Sequence, residues 1–448
     1  MNQARAAAIR KVSAREILNS RGDPTLEVEI VLTDDTRGSA SVPSGASTGR
    51  HEAHELRDGD PTRFAGKGVE RAVANVVNDI AACIRGEPAT EQARIDRLLV
   101  ELDGSSNLAR LGANAILATS LAVCRAGAAH TRQPLYRHLG SLAGCAAPSL
   151  PLPMVNILSG GAHASSGMDL QDFLAVPVGA ISYRQALQWV AQVRAAAEGV
   201  MREQGLTTLW ALEGGLSPGL PRIDSALDLM LRAIEAAKLR PGEDVAIALD
   251  VAASELYRGG VYELPVEGLR VSSPEMIALL VDRAQRYPIV SIEDGLDQDD
   301  WPQWTALTAA LPALQLVGDD LFVTNPARIA RGIDQRAANG VLIKLNQNGT
   351  LSGTLQAIAL ARHAGYATVI SARSGETEDS FIADLAVGTG AGQIKIGSVR
   401  GSERLTKYNQ LLRIEDDSQI GYAGITGLAG NCAGVSTVGA RHARDPSR

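Results

Sequence analysis

Five ionisable side chains stand at the ends of short apolar runs in the second half of the chain. Asp250 closes VAIALD, Glu293 closes IVSIE, Asp319 follows LQLVG, Lys344 follows VLI and Lys395 sits within GQIKIG. Each run reads as a strand, and a helix-like stretch separates it from the next. Side chains at the C-terminal ends of parallel barrel strands converge on one pocket. Three carboxylates there offer hard oxygen donors to Mg²⁺. Two lysines beside them concentrate charge that is costly to hold together. The chemistry this suits is stabilisation of a carbanion by a bound metal ion. A single aspartate at a strand end usually caps a helix or pairs at the surface, and a single lysine usually snorkels. A series of both at successive strand ends does not fit that blander reading.

Elements must carry these ends to one place. Apolar periodicity predicts helices over 182–203, 225–239, 274–286, 301–311, 326–336, 351–363 and 379–387, alternating with short β-branched runs. The alternation favours a barrel over an open doubly wound sheet. No GxGxxG or GxxxxGKS/T run supports nucleotide binding. Earlier, LEVEIVL at 26–32 alternates as a strand, TDDTRG supplies a turn and residues 39–42 begin a return strand, which reads as a hairpin. Helical spacing covers 68–84, 91–99 and 113–128. The Pro-punctuated PLYRHLGSLAGCAAPSLPLP at 134–153 reads as a linker. The expected class is α/β, with a small N-terminal α+β domain over residues 1–138 and a barrel domain carrying the metal site over 139–448.

The bulk properties bound the partners. A chain of 448 residues can build two domains with a sizeable core. A net charge of -7 and the lack of a basic tract argue against a nucleic-acid partner. Cys83, Cys124, Cys145 and Cys432 have neither metal-ligand nor redox spacing and read as reduced thiols. The first residues lack the apolar core of a signal peptide. The most apolar stretch, 111–124, is too short to span a bilayer. The expectation is a cytoplasmic protein with no membrane partner.

Longer segments around these positions carry a resemblance. They are EILNSRGDPTLEVEI at 16–30, SVPSGASTGRHEAHELRDGD at 41–60, ALDVAASE at 248–255, SIEDGLDQDDWPQW at 291–304, VGDDLFVTNP at 317–326, LIKLNQNGTLSG at 342–353, RSGETED at 373–379 and KYNQLLRIE at 407–415. In order and at compatible spacing, they resemble the enolase (phosphopyruvate hydratase) family from Ala14 to about Gly430. The resemblance implies a modified enolase-type (β/α)8 barrel beginning β-β-α-α, two Mg²⁺ ions per active site, and a homodimer or larger homo-oligomer. It implies a reaction that removes the C2 proton of a phosphorylated glycerate and expels the C3 hydroxyl. Asp250, Glu293 and Asp319 then correspond to metal ligands, and Ser47 of SGASTG closes over metal and phosphate. Gly45 and Gly49 give that loop freedom to bend. Lys344 corresponds to the base, its pKa lowered by nearby cations, and Lys395 to the contact with the substrate carboxylate. Arg373 and Ser374 correspond to the phosphoryl-binding pair, with His163 of SGGAHAS near the phosphoryl side. Glu213 of LEGG assists the departing hydroxyl, and Asp172 of LQDFL stands where the family has a second glutamate.

Departures from the family pattern gather on one side. Ala372 replaces a histidine, Leu212 replaces the acidic residue before Glu213, and Asp172 is one methylene short. Asn348 replaces an apolar residue and Gly353 an acidic one, while Gly401 replaces the arginine of an RSER-like run, with Arg400 one place earlier. The favoured substrate is therefore an extended phosphorylated carboxylic acid, carboxyphosphonoglycerate-like. It would give carboxyphosphonoenolpyruvate, as in carboxyphosphonoenolpyruvate synthases of phosphonate and phosphinate antibiotic biosynthesis, with Ala372 leaving room for the extension. The alternatives are an ordinary glycolytic enolase converting 2-phosphoglycerate to phosphoenolpyruvate, and a non-catalytic enolase-like scaffold. A scaffold has no use for lysines aimed at a metal cluster.

Overall fold

The computed structural model describes residues 7–45, 49–417 and 419–429. The chain opens with an antiparallel sheet of Ile9–Leu18, Pro24–Leu32 and Arg37–Ser41, in that order. Alternation in the middle strand buries Leu26, Val28 and Ile30 on one face. The predicted hairpin is thus two-thirds of a sheet. The outer strand Ile9–Leu18 escaped notice because only Ile9 and Val12 in it are buried, so it lacks a period of two. The sheet packs on the helix Ala113–His130, which is buried along nearly its whole length. That approach depends on Gly38, where a Cβ would lie 2.3 Å from the Ala126 nitrogen. The helical stretch at 68–84 is broken into Glu70–Asn75, a π-turn at Val76–Ile80, and Ala81–Ile84.

The segment 134–153 is not simply a linker. It contains the helix Leu135–Ala143, bounded by Pro134 and by Gly144 in the left-handed region at φ 62. Tyr136 and Leu139 are buried, so this helix covers core. The prolines that suggested a linker sit at the ends of the elements.

Eight strands then close a barrel: Leu152–Ser159, Asp172–Val176, Ala246–Asp250, Ile289–Glu293, Gln315–Gly318, Gly340–Ile343, Ala367–Ser371 and Gly392–Gly397. The second strand runs antiparallel to both neighbours, and the other pairings are parallel. All seven predicted helices are present, as Tyr183–Glu203, Ile223–Ala236, Ser273–Arg286, Trp301–Ala310, Pro326–Gln335, Leu351–His363 and Phe381–Thr389. An eighth, Ser402–Glu415, was missed: its buried face includes Arg404 and Lys407, which break the apolar stripe. A small sheet of Tyr257–Arg258, Val261–Leu264 and Leu269–Val271 was missed as well, its strands being two to four residues long.

Met154, Leu174, Ala248, Val290, Leu342 and Val369 fill the barrel interior, and Leu428 joins them from the C-terminal segment. Two interior amides, Gln315 and Gln393, pair at 2.8–2.9 Å, and Gln315 Oε1 accepts from the Ala429 N–H at 2.9 Å. Cys83, Cys124 and Cys145 are free thiols, and Cys432 lies outside the described residues. No helix among the described residues is long and apolar enough to cross a membrane.

Because backbone surrounds the missing Cβ at Gly38, Gly38→Val should destabilise the protein by about 3 kcal/mol through overpacking. Urea denaturation would read this as a lowered midpoint, and an unchanged midpoint would contradict the packing argument.

Candidate active site

Barrel closure brings the charged strand ends to one mouth. Asp250 is in register with Glu293 on one side and with Asp172 on the other. Asp172 reaches the mouth as the first residue of its strand, because that strand runs backwards; it also faces Ser159. On the far side, Ser371 is in register with Lys395.

The cationic and anionic ends pair. Lys395 Nζ donates to Asp250 Oδ2 at 2.6 Å and to both oxygens of Glu293 at 2.8 Å. Lys344 Nζ donates to Asp319 Oδ2 at 2.5 Å. Two amides steady the carboxylates: Gln171 Nε2 donates to Asp250 Oδ2 at 3.1 Å and Gln347 Nε2 to Asp319 Oδ1 at 2.8 Å. Asp294 orients the next strand end. It sits in the left-handed region at φ 44, and its carboxylate accepts from the backbone N–H groups of Asp319 and Asp320 at 2.9 and 2.8 Å.

These contacts set the charges. Burial, reinforced by Asp250, raises the Glu293 carboxyl well above the usual range. Burial and then Asp319 push Asp320 up to about 7. Burial opposes ionisation of Asp319, but Lys344 outweighs it and the group stays low. For Lys344 itself the expectation reverses. Burial and the cations Arg373 and Lys395 do lower its pKa, yet the Asp319 carboxylate in contact with it leaves it above the ordinary lysine value.

Asp250, Glu293 and Asp319 fit a hard divalent cation as a donor set: all are buried carboxylates, already gripping ammonium groups. Their oxygens do not close to within 4.8 Å of one another as a trio. Among the described residues the sets that do are Asp294, Asp319 and Asp320, and His163, Asp172 and Glu213.

On the phosphoryl-type side, Arg373 and Ser374 are buried. The Arg373 guanidinium donates through Nη1 to Glu52 Oε2 at 2.9 Å and to Asn346 Oδ1 at 3.1 Å. Buried Arg404 grips the pair from behind, donating to the Arg373 and Ser374 carbonyls at 2.6 and 2.7 Å. Arg21 reaches from the N-terminal sheet to Ser374 Oγ at 3.1 Å. Ala372 is buried beside them, its N–H donating to the Lys395 carbonyl at 2.9 Å. Ser47 lies outside the described residues. At Gly49 the structure shows a need for space, since a Cβ there would lie 2.8 Å from Val323 Cγ1.

The acid side holds Glu213, Asp172 and His163. Ser159 Oγ donates to Asp172 Oδ1 at 2.6 Å, and Asn156 Nδ2 to Glu213 Oε2 at 3.3 Å. His163 occupies a single helical turn at Gly161–Ala164. Its Nδ1 is 3.2 Å from Asp172 Oδ2 and its Nε2 3.9 Å from Glu213 Oε1. The resemblance puts this histidine near the phosphoryl side, but two buried carboxylates capture its ring on the acid side. Burial opposes its charge; Glu213 and Asp172 overcome that and raise its pKa to about 9. In return His163 holds Glu213 below the usual carboxylate value against burial, whereas burial prevails at Asp172 and raises it.

Sequence reading did not find Glu52, Arg21, Asn156, Gln171, Asp294, Gln347 or Arg404. Several lie inside the resembling segments, but nothing local marks a residue whose partner is 321 positions away, as for Glu52 and Arg373.

Fold and site together define a two-domain barrel protein with a buried carboxylate–lysine centre at the mouth of the barrel. Family models agree: residues 9–139 match the enolase N-terminal domain, and residues 147–429 match the enolase C-terminal TIM barrel domain. The chain belongs to the enolase family.

The His163 site carries a pH signature. A histidine whose folded pKa is raised contributes stability that is complete below its unfolded value of 6.5 and lost as pH rises through about 9. NMR titration should place the His163 midpoint near 9. His163→Gln should remove that alkaline loss. A midpoint near 6.5 would contradict the ion pairing.

Proposed function

We propose that this protein is a Mg²⁺-dependent hydro-lyase acting on a phosphorylated glycerate. The observation carrying this reading is that one barrel mouth gathers Asp250, Glu293, Asp319, Lys344 and Lys395 between the Arg373–Ser374 pair and the Glu213–His163–Asp172 trio. Members of the family generally depend on Mg²⁺ and bind phosphorylated small molecules. Asp250, Glu293 and Asp319 would hold the metal, with Ser47 contributing on closure. Bound there, Mg²⁺ would supply positive charge where the substrate carboxylate becomes electron-rich, and would take up the Asp319 charge that now favours protonated Lys344.

The protein side chains perform the rest. Lys344 Nζ accepts the C2 proton. The C2–H electron pair is first delocalised into the substrate carboxylate, and it then forms the C2=C3 π bond as the C3–O bond breaks. The hydroxyl leaves as water with a proton from the Glu213–His163–Asp172 trio, where the imidazolium is the protonated member. Lys395 sets the field around the substrate carboxylate, and Arg373 with Ser374 orients the phosphoryl group through a guanidinium fork. The favoured substrate is the extended, carboxyphosphonoglycerate-like acid, because Ala372 puts only a methyl group beside Arg373 and Lys395. In this reading the enzyme is cytoplasmic and works as a homo-oligomer.

Two variants test the roles. Lys344→Ala should lose exchange of the C2 proton with deuterated solvent while retaining its fold; exchange at the wild-type rate would remove Lys344 from the role of base. Ala372→His should harm turnover of the extended substrate more than that of 2-phosphoglycerate, by overfilling the site. Paired kcat/KM measurements decide it. Improved turnover of 2-phosphoglycerate alone would favour an ordinary enolase, and improved turnover of the extended acid would end the specialised-pocket reading.

A further inference from the structure

Glu213 is tethered through its own carboxylate by Asn156 alone at hydrogen-bond distance, 3.3 Å, among the described residues. With its other contact the longer 3.9 Å pairing to His163 Nε2, its position also rests on how its backbone is seated. The backbone turns tightly there: the Ala211 N–H donates to the Gly215 carbonyl at 2.8 Å, and the Gly214 N–H to the Ala211 carbonyl at 2.8 Å. The turn rests on the segment following the last barrel strand, where the Ser398 N–H donates to the Glu213 carbonyl at 2.8 Å. No side chain fits between them. A Cβ on Gly397 would lie 2.9 Å from the Glu213 carbonyl, and one on Gly214 would lie 3.1 Å from the Arg400 carbonyl.

A buried guanidinium joins the two segments from behind. Arg194 belongs to the helix Tyr183–Glu203 and lies on its inward face with Val190, Val193 and Ala197, where an apolar residue would be ordinary. It is only 6% exposed. Its Nη2 donates to the Gly214 carbonyl at 3.3 Å, its Nε to Ser398 Oγ at 3.1 Å, and its Nη1 to Glu198 Oε1 at 2.6 Å. One arm thus holds the turn, another holds the segment on which the turn rests, and Glu198 balances the charge. The same two segments are gripped from outside, where the Arg400 guanidinium lies 5.2 Å from the centre of the Trp210 ring.

We infer that Arg194 is a positioning residue for Glu213, fixing the acid-side turn against the last barrel strand so that elimination of water, and not proton abstraction, depends on it. A buried arginine is expensive to place on an apolar helix face. Its fork spans both loops, one arm on each. The inference rests on the hydro-lyase reading, in which Glu213 acts on the departing hydroxyl and Lys344 on the C2 proton.

Arg194→Met keeps length and burial and removes the hydrogen bonds. It should lower kcat for water elimination about tenfold or more, since small misplacements of a reacting group are costly. C2 proton exchange should stay within about twofold of wild type, and KM should move little, because the exchange step uses groups on the opposite side. Arg194→Lys, which keeps the charge and a donor, should recover part of the loss. Elimination and exchange both unchanged, or both falling by the same factor alongside a lowered Tm, would overturn the inference. Should Arg194→Met not fold, Ser398→Ala removes the hydroxyl that Arg194 holds while keeping the backbone donor to Glu213. A selective loss of elimination in that variant supports the role, and no selectivity overturns it. A wild-type protein that neither exchanges nor eliminates would instead overturn the hydro-lyase reading.

Discussion

The structure depends on keeping buried charge compensated at the mouth of the barrel. Asp250, Glu293 and Asp319 are all nearly inaccessible, and an isolated carboxylate in such a place would cost several kcal/mol. Lys395 between the first two and Lys344 on the third make that burial tolerable. The arrangement requires a closed barrel, since only closure sets Lys395 opposite Asp250 and Glu293. The reversed second strand delivers Asp172 beside Asp250, a like charge that Ser159 and His163 offset. Paired lysines and carboxylates of this kind are poised for a ligand that brings both a cation and an anion: the cation can take the carboxylates, and the anion the freed ammonium groups.

The same constraint gives the N-terminal domain a chemical part. Glu52, whose side chain is largely enclosed, pairs with Arg373 at 2.9 Å and accepts from the Gly49 N–H at 2.8 Å. Gln347 then links Glu52 to Asp319. The charges of Arg373 and Asp319 are therefore joined through a residue contributed by the smaller domain. Arg21 adds a second contact from that domain, to Ser374. The sheet at the start of the chain matters because the turn between its first two strands carries Arg21 to the barrel.

What could be read from the sequence follows from locality. Asp250, Glu293, Asp319, Lys344 and Lys395 each end or interrupt an apolar run, so strand periodicity and the barrel rule locate them without a structure. The helices with clean apolar stripes were readable for the same reason. The strand Ile9–Leu18 has no alternation, and the helix Ser402–Glu415 hides cations on its inner face, so neither was visible. Pairings such as Glu52 with Arg373, Arg404 with the Arg373 carbonyl, and Arg194 with Gly214 are created by the fold and leave no local trace. The raised pKa of Lys344 leaves no local trace either, because the carboxylate that holds it protonated lies 25 positions away.

The central claim is that the carboxylates now paired with Lys344 and Lys395 form the seat of a divalent cation. Isothermal titration of Mg²⁺ into the wild-type protein and into Asp319→Asn tests it most directly, because the substitution removes an anionic donor with little change of size. The account predicts saturable binding to the wild type and an affinity lowered at least about tenfold in the variant. Equal Mg²⁺ affinity in the two proteins, with both shown to be folded, would contradict it.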